Sequence, residues 1–401
     1  MTFPRAEILS IGTEMTQGPR PDTNSVWLRG RLSRLNLCIM RVTSVSDDRQ
    51  DLVEALSEGI HRAGLLLTTG GLGPTEDDRT VDALAAATGR PLHVVDEVLA
   101  GLEEKARRKG QRLRASAARM ARMPSGFRAL ENGLGSAPGL LLETEELAVA
   151  ALPGVPAEMR WIYDEVLHGA LEKRFGPARN LRRVIRIGGL SESSVEARVA
   201  PLCGAAGLAW TVLALPGMIE LHVSGKAAEL SELAARLDED LGPDIISVDG
   251  RSLASVILDR LKTRQETLAI AESCTGGGAA ALVTAEPGAS QAFKRGYVVY
   301  NEASKKELLD VPSGLLRTHG AVSGEVARAM VEGLVRRSGC AGPAGGIATT
   351  PVGTVWCAAG GTDSVHCRRW ILRGDRAQIR DAAACHGLDL LRRTLISRGV
   401  S

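Results

Sequence analysis

The chain has few aromatic residues, almost no net charge and no long apolar run. Phe, Trp and Tyr make up 3% of its 401 residues, and the formal net charge is +2 at pH 7. A nearly neutral chain has no global attraction for nucleic acid or for an acidic membrane surface. No apolar run is long enough for a transmembrane helix, and the N-terminus lacks the apolar core of a signal peptide. We therefore expect a soluble, cytoplasmic protein that binds neither membranes nor nucleic acid.

The seven cysteines are scattered, and none belongs to a C-x-x-C pair. This spacing indicates neither a disulfide framework nor a zinc site. Glycine is abundant instead, with 45 residues, which favours many tight turns. At 401 residues the chain is too long for one ordinary core, so we expect more than one domain.

The first part of the chain, residues 6–168, alternates between apolar strand-like runs and helix-like segments. The strand-like runs are 6–12, 37–45, 64–73 and 146–156, and the helix-like segments are 24–36, 48–62 and 80–89. Such alternation predicts a mostly parallel, doubly wound sheet.

The middle of the chain has a different pattern. A strand and a capped helix over 182–202 are followed by two strands around Pro216-Gly217 and an amphipathic helix over 226–242. The βα alternation returns from about residue 252. We predict the α/β fold class, with two doubly wound α/β domains at 1–170 and 251–401 joined by a small α+β domain at 171–250.

Two strand ends in the first domain carry polar groups. TTGGLGPTEDDRT (68–80) places three glycines, able to bind an anion through their amides, before the acids Glu76, Asp77 and Asp78. These acids are either caps of a helix start or hard oxygen ligands for a magnesium-like ion that also holds a phosphate. SIGTEMTQGPRPDTN (10–24) ends a second strand, and both ends should line one crevice, because ligands bind at the carboxyl ends of parallel strands.

A third polar turn lies in LAIAESCTGGGAAALV (268–283), where an apolar run meets Ser273, Cys274 and Thr275. This turn could be catalytic, a phosphate-binding loop or only a tight turn in the core.

The local sequence offers no histidine partner for Ser273, which argues against a Ser–His–Asp triad. A desolvated lysine can serve as the base instead, and GYVVYNEASKKELLDV (296–311) supplies Lys305 and Lys306. Cys274 is the rival nucleophile.

Together these motifs resemble the competence/damage-inducible protein A (CinA) family over essentially the whole chain. The ordered motifs are IGTE…DTN, TTGGLGPTEDD, GSAPG and LPGVP, then ESCTGGG, SGCAGPAGG, PVGTVW and GDR. The resemblance implies an N-terminal molybdopterin-binding-like domain with metal-dependent ADP-ribose pyrophosphatase activity. It also implies a KH-like connecting domain and a C-terminal domain that deamidates nicotinamide mononucleotide.

The resemblance also implies roles for particular residues of the N-terminal domain. The nucleotide contacts would be Thr13, Glu14, Asp22, Asn24, Thr69, Gly70, Gly71 and Gly73. Asp77 and Asp78 would bind a divalent metal, which could be Mg, Mn or Co.

In the C-terminal domain, the resemblance implies that Ser273 is the nucleophile and Lys305 the base, assisted by Tyr300. The oxyanion and substrate contacts would be Thr275, Gly276, Gly277, Gly342, Gly345 and Arg376. This site would need no cofactor. The expected partners are the two small nucleotides, nicotinamide mononucleotide and ADP-ribose, and a second copy of the chain in a homodimer.

The chain departs from the family pattern at two places. Ala117 and Met120 stand where the family commonly has Asn and Gln. Arg337 is followed directly by Ser338, so about nine residues that would form an apolar strand are absent. These departures predict weakened catalysis, and they leave open a nucleotide-binding or protein-interaction scaffold as the alternative function.

Overall fold

The computed structural model describes residues 4–18, 21–108, 110–178, 180–338, 344–346 and 352–398. The chain divides into two compact units, 1–179 and 180–401. In the described ranges, no helix combines the length and apolarity needed to cross a membrane. The finer division into three domains stays a prediction.

The first unit contains a six-stranded sheet in the order β2-β1-β3-β8-β7-β6, in which β2, β1, β3 and β8 run parallel. Its strands, together with the separate pair β4–β5, are β1 (Arg5–Ile11), β2 (Cys38–Val45), β3 (Leu65–Thr69), β4 (Leu92–Val94), β5 (Arg122–Pro124), β6 (Arg128–Leu130), β7 (Gly139–Glu143) and β8 (Ala148–Leu152). Its helices are α1 (Thr13–Thr16), α2 (Thr23–Leu32), α3 (Arg49–Arg62), α4 (Thr80–Thr88), α5 (Asp96–Arg108), α6 (Ala115–Ala118), α7 (Pro156–Ile162) and α8 (His168–Phe175).

Alternate residues of the central strands pack into two separate hydrophobic cores, as expected for a sheet covered by helices on both faces. On β1, Ile8 packs into one core and Leu9 into the other. On β3, Leu66 and Leu67 divide in the same way. The continuous apolar runs of the sequence therefore predicted these parallel strands correctly. The antiparallel strands β6 and β7 were not predicted.

The second unit begins with an antiparallel sheet in the order β10-β11-β9-β12. Its strands and helices are β9 (Leu181–Gly188), α9 (Glu192–Ala205), β10 (Ala209–Leu215), β11 (Met218–Gly225), α10 (Ala227–Leu241) and β12 (Ile245–Ser247). The strand–helix–strand–strand–helix order predicted for this region is confirmed, and the two strands around Pro216-Gly217 form a hairpin.

The rest of the second unit is α/β, as predicted. Its elements are α11 (Leu253–Thr263), β13 (Leu268–Glu272), α12 (Gly278–Thr284), β14 (Phe293–Val298), α13 (Glu302–Leu309), α14 (Ser313–His319), α15 (Gly324–Ser338), β15 (Ala344–Gly346), β16 (Thr354–Gly360), β17 (Val365–Ile371) and α16 (Arg376–Ser397). Parallel strands β13 and β14 form one short sheet, and antiparallel β15, β16 and β17 form another.

Strand β13 is covered by helices on both faces. Ile270 packs in a core with residues of α11 and α16, whereas Ala269 and Ala271 pack in a core with residues of α15. Small side chains on that second face let α15 approach closely. This layering buries β13 completely and fixes where its C-terminal end lies.

The sequence indicated no strand between α15 and the glycine-rich segment SGCAGPAGG (338–346), and α15 extends to Ser338, the first residue of that segment. Within the segment, the last three residues form the strand β15, which pairs antiparallel with β16. Its Ala-Gly-Gly sequence lacks the branched and aromatic residues by which strands are predicted, so only the pairing with β16 reveals it.

Candidate active site

The ESCTGG turn leaves the carboxyl end of β13 and enters α12. Glu272 lies opposite Val298 in the parallel register of β13 and β14, and the Val299 amide donates to the Glu272 carbonyl. Beyond Val299 the chain enters α13, whose start is capped by Asn301. Because both strands end at the same edge of the sheet, the first turns of α13 lie against Ser273.

A buried serine–lysine pair forms at this edge. The Lys305 Nζ lies 3.0 Å from the Ser273 Oγ and donates to the Val299 carbonyl at 2.8 Å. Lys305 is 1% exposed and Ser273 4%. The next residue, Lys306, is exposed, so a single helical position separates the paired lysine from a solvated one.

Burial lowers the pKa of Lys305 below its ordinary value, and the charge of Glu302 opposes this effect only in part. A neutral amine at this place keeps one N–H for the Val299 carbonyl and offers its lone pair to the Ser273 hydroxyl proton. The pair therefore has the geometry and the shifted pKa of a base next to a nucleophile.

Cys274 is also buried, but its environment is unfavourable for a thiolate. Desolvation raises the pKa of the Cys274 thiol, and the backbone amides near it act in the opposite direction. A thiol nucleophile needs a lowered pKa. Of the two candidate nucleophiles, the geometry thus favours Ser273.

A buried carboxylate holds the turn together. Glu272 accepts backbone N–H groups from Gly277 at 3.1 Å, from Ala279 at 2.9 Å and from Ala280 at 2.9 Å. An acid at a helix start satisfies amides that the helix leaves without partners. Glu272 therefore fixes the path of the chain directly after Ser273.

This carboxylate changes the predicted oxyanion site. The Gly277 amide is held by Glu272, and the Gly276 amide donates to the Ser273 carbonyl at 3.1 Å. The turn thus uses both amides internally, and their predicted role as oxyanion donors stays a prediction. The role of the Thr275 amide stays a prediction.

Removing the Glu272 carboxylate should loosen the turn. In Glu272→Ala we expect a loss of about 2 kcal/mol or more in the free energy of unfolding, since three amides lose their acceptor. Urea denaturation measures this loss. Glu332→Ala is the control, because Glu332 is exposed on α15. A Glu272→Ala protein as stable as the Glu332→Ala protein would contradict the stabilising role.

Helix α16 supplies two arginines near the turn. Arg380 donates to the Thr275 carbonyl at 2.9 Å, and Arg376 donates to the Tyr300 hydroxyl at 2.6 Å. Tyr300 is 53% exposed. Among the described atoms, no hydrogen bond joins the Tyr300 hydroxyl to Ser273 or Lys305, so the structure places Tyr300 with Arg376 rather than with the pair.

Two further predicted contacts lie in the segment before β16. Gly345 belongs to β15, where its backbone pairs opposite Cys357. Gly342 falls outside the described residues. A cavity of about 20 Å³ adjoins the turn beside Glu272 and Cys274, which is room for one water molecule.

In the N-terminal unit, Asn24 joins two of the predicted segments. Its Nδ2 donates to the Thr69 Oγ1 at 3.1 Å and to the Gly154 carbonyl at 2.8 Å, while the Thr69 hydroxyl donates to the Pro153 carbonyl. The Asn24 Oδ1 is buried and accepts no hydrogen bond in the described structure. An unsatisfied buried acceptor indicates a place where a donor of a ligand could bind.

The other predicted contacts of the first strand end serve local structure. The Thr13 amide donates to Asp47 at 2.8 Å, and the Asp22 carboxylate caps α2 by accepting the Ser25 amide at 3.0 Å. Glu14 is exposed, and its carboxylate lies over Gly12. Of this group, Asn24 is the residue that the structure brings to Thr69.

The glycines of the TTGGLG loop are explained by close packing. A Cβ on Gly70 would meet the Ile11 carbonyl, one on Gly71 the Thr80 hydroxyl and one on Gly73 the Asp78 carboxylate. Gly70 and Gly71 also have φ values of 111° and 67°, which favour glycine. Their predicted contact with a nucleotide stays a prediction.

The acids after this loop differ in their surroundings. The Asp78 carboxylate accepts the Thr75 amide at 2.8 Å, and Asp77 is exposed. In the part of the chain that the structure describes, no group of three or more His, Cys, Asp or Glu side chains could hold a metal ion. Metal binding by Asp77 and Asp78 stays a prediction, and we derive no reaction step from it.

Sequence reasoning missed the roles of Glu272 and Arg380, which both form hydrogen bonds with the backbone of the ESCTGG turn and the start of α12. For Glu272 a signal existed, because an acid stands between a buried strand and a glycine-rich helix start. For Arg380 there was none, because α16 lies about 100 residues further along the chain.

Comparison with known proteins matches both ends of the chain. The model of the CinA C-terminal domain matches residues 250–395, and that of a probable molybdopterin binding domain matches residues 7–173. A CinA-like protein of Anaeromyxobacter sp. (strain Fw109-5) is 38% identical over 97% of this chain and 98% of its own length. A putative competence-damage inducible protein of Caldanaerobacter subterraneus is 34% identical over 99% and 100%. The crystal structure of CinA from Thermoplasma acidophilum is 31% identical, covers 43% of this chain and 97% of its own, and has a TM-score of 0.39.

Proposed function

This chain belongs to the CinA family, and from that premise we propose that its C-terminal site hydrolyses nicotinamide mononucleotide to nicotinate mononucleotide and ammonia. One observation carries the proposal: the buried Lys305 Nζ lies 3.0 Å from the Ser273 Oγ. Desolvation lowers the pKa of Lys305, as a base working near neutral pH requires.

The proposed reaction has two halves. The Ser273 Oγ attacks the amide carbon while Lys305 takes the hydroxyl proton, and a C–O bond forms as the carbonyl becomes an oxyanion. The oxyanion then collapses, the C–N bond breaks, and Lys305 returns the proton so that ammonia leaves. Water attacks the resulting ester with the help of neutral Lys305, and the acid product and the Ser273 hydroxyl are released.

Arg376 is proposed to bind the phosphate of the substrate. It is exposed at the first turn of α16, and its hydrogen bond with the Tyr300 hydroxyl orients the guanidinium. The phosphate is remote from the reacting amide, so this contact should contribute to binding more than to chemistry.

Substitution of Arg376 should therefore raise KM with little change in kcat. For Arg376→Ala we expect an increase in KM of about tenfold, the value of one hydrogen bond to a charged group. Steady-state kinetics with nicotinamide mononucleotide measures both constants. Arg373→Ala, three residues earlier in the chain, is the control. A fall in kcat alone would contradict a phosphate-binding role for Arg376.

The test of the function is product analysis with the purified full-length protein. Incubation with nicotinamide mononucleotide should yield nicotinate mononucleotide and ammonia in equal amounts, also in the presence of a chelator. Absence of both products from a folded protein would contradict the proposal and favour the scaffold, in which the fold remains but catalysis is lost.

A second activity is proposed for the N-terminal unit, namely binding and cleavage of ADP-ribose. The unsatisfied Asn24 Oδ1, beside Thr69 and Gly154, is the observation that favours a polar ligand there. Release of AMP from ADP-ribose, measured with Mg, Mn or Co and again with chelator, tests both the activity and its dependence on metal.

A further inference from the structure

A buried threonine at the start of β16 has a hydroxyl that the protein leaves without a partner. Thr354 is the first residue of β16 and belongs to the PVGTVW motif, to which neither proposed activity assigns a role. Its side chain is buried, and within the described part of the chain its Oγ1 neither donates nor accepts a hydrogen bond. Because a buried hydroxyl without a partner is costly, it indicates a place where a ligand supplies the missing hydrogen bond.

The start of β16 lies beside the ESCTGG turn. Val355 and Cys357 of β16 line the same cavity of about 20 Å³ as Glu272, Cys274 and Thr275. Val355 and Cys274 also pack in one hydrophobic core. Since a cavity with room for one water molecule has walls that lie close together, the residue before Val355 is near the residue before Cys274. These two residues are Thr354 and the proposed nucleophile.

The Thr354 side chain also lies on the face of the strands from which the base approaches. Side chains alternate along a strand, so Thr354 shares a face of β16 with Ala358. Ala358 packs in one core with Ala271 of β13 and with residues of α13 and α15. Helix α13 carries Lys305, whose Nζ lies 3.0 Å from the Ser273 Oγ. The unpartnered hydroxyl and the serine–lysine pair therefore lie on the same side of β13 and β16.

The proposed deamidation requires a hydrogen-bond donor at this place. Attack of Ser273 on the amide places negative charge on the carbonyl oxygen, and donors aimed at that oxygen contribute strongly to acyl transfer. The amides of Gly276 and Gly277 already donate to acceptors within the turn. The Thr354 hydroxyl can donate without breaking an existing hydrogen bond, because no described group of the protein uses it.

We infer that the Thr354 hydroxyl donates a hydrogen bond to the carbonyl oxygen of the substrate amide as this oxygen becomes an oxyanion, an inference that rests on the proposed deamidase function. In the free protein the hydroxyl then has no partner and does not stabilise the fold. Its removal should therefore slow the reaction without lowering the stability of the free protein.

Thr354→Val tests both effects in the full-length protein, because valine lacks the hydroxyl and keeps the β-branched shape of the side chain. Steady-state kinetics with nicotinamide mononucleotide should show kcat lowered by about a hundredfold or more. KM should change little, since the oxyanion forms only along the reaction path. Urea denaturation of the free protein should give an unchanged or higher midpoint, whereas loss of a structural hydrogen bond would lower the midpoint.

Two further variants serve as controls. Thr354→Ser keeps a hydroxyl and should retain most of the rate. Thr211→Val removes the same group from an exposed position on β10 and should leave kcat unchanged. An undiminished kcat in Thr354→Val beside an active wild type, or a lowered urea midpoint in Thr354→Val, would overturn this inference and leave the proposed function standing. Absence of turnover by the wild type would overturn both.

Discussion

Lys305→Met is expected to lower the deamidation rate by about a thousandfold, because general-base catalysis contributes roughly 10²–10⁴-fold. The apolar side chain fills a site that is already buried, so the substitution removes the base without exposing the core. Lys305→Arg should be equally inactive, since arginine does not lose its proton in the working pH range. Single-turnover kinetics with nicotinamide mononucleotide measures the effect.

The chain offers a matched control for this substitution. Lys306 is the next residue of the same helix and is exposed, so Lys306→Met should keep the wild-type rate. The wild-type rate should rise with pH and level off below the ordinary lysine pKa of about 10.4, because burial lowers the pKa of Lys305. Equal activity of Lys305→Met and Lys306→Met would contradict the role of Lys305 as base.

The same pKa shift affects stability. The unfolded chain binds the lysine proton more tightly than the folded chain, so the contribution of Lys305 to the free energy of unfolding should rise with pH between the lowered folded pKa and about 10.4. Below the folded pKa the full cost of burying the charge is present. The rise should be missing in Lys305→Met.

Arg392→Ala is expected to cost about 3 kcal/mol in the free energy of unfolding, within the range for breaking a buried ion pair. Arg392 is 1% exposed and donates to Asp389 at 2.8 Å. It also donates to the Ile245 carbonyl at 2.9 Å and to the Pro243 carbonyl at 2.6 Å. These two hydrogen bonds join α16 to the first residue of β12 and to the residues directly before it. Truncation leaves the Ile245 and Pro243 carbonyls without this donor, while Asp389 keeps its ion pair with Arg393.

Urea denaturation of the full-length protein measures this cost. Arg236→Ala is the control, because Arg236 is exposed and pairs with Glu232 one helical turn away. Such a surface pair contributes about 0.5 kcal/mol or less. If both variants shifted the unfolding midpoint equally, the buried hydrogen bonds of Arg392 would not stabilise the fold as described.

The fold was largely predictable where apolar runs are long. Strands β1 and β3 are buried on both faces, so their sequences are continuously apolar and easily recognised. Strands β4, β5 and β15 have three residues each. They form strands because they pair with a neighbouring strand, β4 with β5 and β15 with β16. A single sequence carries no signal for such pairing.

The site was predictable in its residues but not in its connections. The motifs named Ser273 and Lys305, and the structure brings them to hydrogen-bonding distance. The motifs also named the amides of Gly276 and Gly277 as oxyanion donors. In the structure, however, these amides donate to acceptors within the turn, namely the Ser273 carbonyl and the Glu272 carboxylate. Whether an amide is free depends on the folded turn, which residue types alone do not determine.

The most direct test of the account is ammonia release from nicotinamide mononucleotide by the wild type, Ser273→Ala and Cys274→Ser, measured side by side in excess chelator. The account predicts turnover by the wild type and by Cys274→Ser, and none by Ser273→Ala. Turnover by Ser273→Ala together with an inactive Cys274→Ser would contradict it, because the nucleophile would then be the cysteine.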